Sequence, residues 1–124
     1  MSEVTIQKIA EVEPYQGPNT ITGIRFRPAG RALGVTAWGM NVIQIEAGCT
    51  DYPEHDHSKD GQEEVYVILE GSATLVTGGT KRPVDAGTMV RVGPGTARKF
   101  IPGGRGVTIL GIGGTPGHAY QPRR

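Results

Sequence analysis

Apolar positions in this chain come in short runs that glycine and proline interrupt at close intervals. Val65-Tyr66-Val67-Ile68-Leu69 is a continuous apolar run with acidic residues before it and Gly71 after it, which predicts a strand buried on both faces. Residues 35–46 predict a longer strand ending at Ala47-Gly48, and residues 21–27 a shorter one with Ile24 and Phe26 on one face, followed by a loop over 28–34. Beyond the central run, residues 73–77 and 80–84 flank Gly78-Gly79, a two-residue hairpin signal. Strands over 88–92, 98–101 and 107–112 follow, separated by turns at Asp85-Ala86-Gly87, Gly93-Pro94-Gly95 and Pro102-Gly103-Gly104. Residues 4–12, with Ile6, Ile9 and Ala10 apolar, suit a short amphipathic turn or helix closed by Pro14. About eight short strands at regular spacing predict an all-β sandwich or closed barrel.

Composition supports the β reading. Val (11) and Ile (10) far outnumber Leu (4), a bias toward branched side chains that strands accommodate and helices do not favour. At 124 residues the chain suits one domain: a lead-in and first strand over 1–34, a core over 35–112, and an extended tail over 113–124 that ends in the solvated pair Arg123 and Arg124. A net charge of +1 with scattered Lys and Arg leaves no basic track for nucleic acid. The single cysteine, Cys49, rules out an internal disulfide and suits a small core residue. With neither a signal segment nor an apolar run of spanning length, a cytoplasmic protein off the membrane is expected.

Two of the three histidines stand one residue apart in Glu54-His55-Asp56-His57, just before the polar cluster Gln62-Glu63-Glu64. On a strand, positions i and i+2 share a face, so both imidazoles would point one way. One carboxylate, from Glu63 or Glu64, completes the two-His, one-carboxylate set of non-haem Fe(II) sites. The competing reading of the stretch is an exposed polar turn. Asp51, Tyr52, Gln62 and Tyr66 are candidate supporting groups. Trp38 and Met40 would share a strand face as core or seam residues, and His118 in the tail suits the surface.

These residues resemble the cupin superfamily, whose first motif runs G-x5-H-x-H-x3,4-E-x6-G. Here Gly48, six residues, His55, Asp56, His57, six residues, Glu64, six residues and Gly71 keep its order and closing spacing. The second motif, G-x5-P-x-G-x2-H-x3-N, keeps its spacing from Gly87 through Gly95 to Pro102, but Gly93, Arg98 and Pro102 stand in place of its proline, histidine and asparagine. The resemblance implies a double-stranded β-helix, or jelly-roll barrel. It also implies a divalent Fe, Mn, Ni or Zn ion on His55, His57 and Glu64, a small-molecule ligand and a homodimer. Arg98 stands where such a barrel draws its fourth ligand, and arginine has no lone pair to give. An inward Arg98 about 4 Å from a divalent ion costs a few kcal/mol. The site is then either a three-ligand metal centre for a dioxygenase, isomerase or cyclase, with Arg98, Gln62 and Tyr66 facing the substrate, or a metal-free module that grips an organic anion through Arg98. A barrel whose site has decayed is the third reading.

Overall fold

The computed structural model describes residues 3–122; the expected solvated Arg pair, Arg123 and Arg124, lies outside them. After a 3₁₀ turn at Ile9–Glu11, the elements are β1 (Ile24–Arg27), helix α1 (Ala29–Leu33), β2 (Gly39–Ile45), β3 (Glu63–Thr77), β4 (Thr80–Asp85), β5 (Met89–Val92) and β6 (Arg98–Gly114). One antiparallel sheet runs in the order β1-β2-β6-β3-β4, with β5 on the free edge of the first half of β3. The architecture is the expected all-β jelly-roll barrel.

The spine is the β3/β6 ladder, from Glu63 opposite Gly114 to Thr77 opposite Arg98. The sequence divides each of these strands in two; the structure joins the halves across irregularities. Leu69 and Ser72 of β3 have no partner on β6, and residues 103–106 loop out of β6 between Pro102 and Val107. Across this region the inward side reverses once in each strand. On β3 the buried positions are Tyr66 and Ile68 before it and Ala73 and Leu75 after it; on β6 they are Arg98 and Phe100, then Val107 and Ile109. Even-numbered residues give way to odd ones in both strands, so the paired ladder bends and keeps one apolar face inside. Gly71 lies in the hinge with φ +74°, and a Cβ there would sit 2.1 Å from the carbonyl oxygen of Gly106. Only glycine permits that approach.

Ile43, Ile45, Ile68, Leu75, Phe100, Val107 and Ile109 form the core together with Tyr52 and Tyr66. Several local expectations are corrected. Residues 28–34, read as a loop, contain α1, which Gly34 closes in the left-handed region, a common helix end. The first strand begins at Ile24, and β2 at Gly39. That start leaves Trp38 ahead of β2, 45% exposed, outside the core. The run Val65 to Leu69 is buried on one face only, because Val65 and Leu69 are each 36% exposed on the outer side. Cys49 is half-buried at the margin of the core.

Candidate metal centre

His55 and His57 do not lie on a regular strand, so the strand argument for their shared direction is corrected. Two backbone hydrogen bonds tie His55 to Arg98 in an isolated bridge (His55 N to Arg98 O 3.1 Å, Arg98 N to His55 O 2.9 Å), and His57 N donates to Pro94 O at 2.8 Å. These bonds pin the loop over the start of β6. Glu64 comes from β3, where alternation sends its side chain inward and that of Glu63 outward to Arg91 (2.7 Å).

In each imidazole Nδ1 is occupied by the protein. His55 Nδ1 is 3.1 Å from the carbonyl oxygen of Pro53, and His57 Nδ1 is 3.1 Å from Asp60 Oδ1. A proton on each Nδ1 satisfies those acceptors and leaves each Nε2 with a lone pair free to ligate a metal. The two Nε2 atoms face Glu64 Oε1 at 3.7 Å (His55) and 3.2 Å (His57), and the rings stand at 88° with centroids 5.2 Å apart. Ligand atoms of His55, His57 and Glu64 all lie within 4.8 Å of one another, the one such group of His, Cys, Asp or Glu among the described residues. The three residues are half-buried and open to solvent on one side.

The inner wall is shaped by what faces Glu64. Its ladder partner is Gly113, and the partner of Tyr66 is Gly111; a Cβ at Gly113 would meet Glu64 Cγ at 3.2 Å and Gln62 Oε1 at 3.0 Å. Glycine on that wall leaves the carboxylate its room. The hydroxyl of Tyr66 donates to Glu64 Oε1, and Tyr52 packs behind it, edge-on to Phe100 and 6.0 Å from the His55 ring. Burial pushes the Tyr52 hydroxyl up to about 12, with the Glu64 charge adding to it, and burial raises Tyr66 further still. Both stay protonated, so Tyr66 remains a donor.

Arg98 points inward and has no exposed surface. Its Nη1 is 3.4 Å from Glu64 Oε1, and Nη2 donates to Gly93 O at 2.8 Å, while Nε and Nη1 make no hydrogen bond. Nη1 of Arg98 forms an ion pair with Glu64. Burial alone would raise the Glu64 pKa, but the donors and positive charges of His55, Tyr66, His57 and Arg98 outweigh it and hold it below the ordinary carboxylate value. His55 is raised above 6.5, chiefly by that carboxylate.

Gln62 and His118 line an open groove of about 500 Å³ with Asp60, Thr115, Tyr120 and Gln121; Gln62 also lies beside Glu64, its Oε1 3.0 Å from where a Cβ on Gly113 would sit. Asp60, which orients His57, and Pro53, which orients His55, escaped the sequence reading. The spacing of Asp60 three residues after His57 was the available signal for the first; a backbone carbonyl leaves none.

No protein-family model matches the chain, and no curated protein does. Solved structures do. A sugar phosphate isomerase of the cupin superfamily from Silicibacter pomeroyi superposes with a TM-score of 0.74 at 19% identity, over 95% of this chain and 77% of its own. A cupin protein from Bacteroides fragilis gives 0.72 at 19% identity, over 99% and 93%. A candidate sugar phosphate isomerase from Acidithiobacillus ferrooxidans gives 0.61 at 28% identity over 73% of this chain, which spans 58% of that protein's length. The fold is that of a small cupin barrel.

Proposed function

We propose that the chain binds a divalent transition metal through His55, His57 and Glu64 and uses it on a small molecule, with isomerisation as the reaction class. One observation carries the reading: each imidazole has its Nδ1 held by the protein, so that both Nε2 atoms converge on one carboxylate. Two imidazoles and a carboxylate suit Fe(II), Mn(II), Ni(II) and Zn(II). The donor set fits such an ion with three protein ligands, Arg98 supplying none. When bound, the metal supplies a Lewis acid with positions left open for the small molecule. The chain's own residues do the rest: Asp60 and Pro53 fix the rings, while Tyr66 and Arg98 fix Glu64. Isomerisation is favoured over dioxygenation and cyclisation by the names of two of the similar structures.

The metal-free alternative has Arg98 gripping an organic anion directly. A guanidinium with no exposed surface makes that contact only after the loop over it opens, which disfavours the reading. A homodimer is part of the proposal, with the exposed apolar Val65, Leu69 and Met89 of the outer β3/β5 face as the surface to cover.

Elemental analysis of untagged protein purified without chelator, beside His57→Ala, tests the metal. Near-stoichiometric metal that the variant lacks supports the reading. Metal in neither protein, with none taken up on addition, overturns it.

A further inference from the structure

Arg98 departs from what a ligand-gripping arginine needs. Its side chain is wholly buried, two of its donor nitrogens, Nε and Nη1, make no hydrogen bond, and the one carboxylate beside it is Glu64, also a proposed metal ligand. Buried charge normally comes with hydrogen bonds to neutralise it. Here the compensation is one hydrogen bond to the carbonyl of Gly93 and one carboxylate 3.4 Å away, and any metal in the centre must share that carboxylate. Two neutral imidazoles add no charge. The Glu64 charge would then face a divalent ion and a guanidinium together, and with the Asp60 carboxylate on His57 counted the cluster keeps a net charge of +1.

We infer that Arg98 sets the charge of the centre from behind Glu64 without touching its ligand, so that the metal-loaded site takes a small chelating carboxylate in preference to a neutral molecule of the same shape. The inference rests on the metal reading above and gives its substrate class. Arg98 is a positioning residue whose effect is carried by its field: it repels the metal and attracts the anion that completes the metal's coordination. That produces a signature of opposite signs. Removal of the charge tightens metal binding and weakens anion binding, whereas damage to packing weakens both.

Co(II) provides the test, because its visible absorption reports both its own uptake and the arrival of a further ligand. Co(II) is titrated into the wild type, Arg98→Gln and Arg98→Lys, and the loaded proteins are then titrated with oxalate and with its neutral counterpart oxamide. Arg98→Gln is expected to bind Co(II) about tenfold more tightly and oxalate about tenfold more weakly, with Arg98→Lys close to wild type on both counts. Co(II) and oxalate affinities that fall together, or oxalate affinity that does not move, overturn the inference. Should Arg98→Gln not fold, Arg98→Met takes its place with the same readouts, and equal binding of oxalate and oxamide by the wild type overturns the inference. Failure of the wild type to take up Co(II) overturns the metal reading and this inference with it, while uptake with indifference to the anion overturns the inference alone.

Discussion

At the scale of single residues, the centre depends on groups that stand behind the three candidate ligands. Asp60 holds His57 Nδ1 at 3.1 Å. Asp60→Asn keeps an acceptor but loses the charge that fixes the tautomer, and loss of such an outer partner typically costs about 10- to 100-fold in metal affinity; a chelator-competition titration reads it. Tyr66→Phe removes the hydroxyl on Glu64 Oε1 and leaves the ring against Phe100 (5.0 Å). Metal affinity is expected to fall while the barrel keeps its fold by circular dichroism. The metal-free protein also carries a pH signature. Glu64 beside it raises His55 above 6.5, so the stabilisation from that contact is full below pH 6.5 and lost as pH rises through the raised value. Tm of the metal-free wild type should decline across that window, relative to a His55→Gln variant that lacks the titration. Parallel curves for the two proteins would refute the assignment. Metal competes with the same proton, so uptake should weaken as pH falls.

At the scale of elements, the bend in the β3/β6 ladder lets one sheet surround a core and present a site at its end. Gly71 is the most exacting position in that bend, with φ +74° and backbone 2.1 Å from where a Cβ would be. Gly71→Ala combines left-handed strain with a backbone clash and is expected to cost about 2–4 kcal/mol in urea unfolding. Gly78→Ala, in the exposed hairpin turn with nothing within 4 Å of its Cβ, bears the conformational penalty alone and should cost less. Most strand segments were legible from their alternation and their Gly and Pro boundaries. Their joining into two long strands was not: Gly71 and Pro102-Gly103-Gly104 carry turn chemistry whether the chain reverses there or bulges and continues. Only pairing with the opposite strand separates these outcomes.

At the scale of the whole molecule, metal and fold are linked. An ion that binds the folded state alone stabilises it by about 2.7 kcal/mol at one hundred times its Kd. Added Zn(II) or Ni(II) should therefore raise the Tm of the wild type and leave His57→Ala unmoved; equal shifts in both proteins would place the binding elsewhere. The amino-acid sequence by itself determined the β class and the grouping of His55 and His57 with a carboxylate from Glu63 or Glu64, because alternation, turn residues and short spacings are local properties of the chain; the choice of Glu64 came from the resemblance. It also flagged Arg98 as the anomalous position. Tertiary structure alone decided that Arg98 turns inward onto Glu64, that Pro53 and Asp60 turn both Nε2 atoms toward that carboxylate, and that glycines face Glu64 and Tyr66. Each of these depends on which strand lies beside which, through ladder register and a backbone bridge spanning 43 positions from His55 to Arg98, and residue order does not encode such distances in any local pattern.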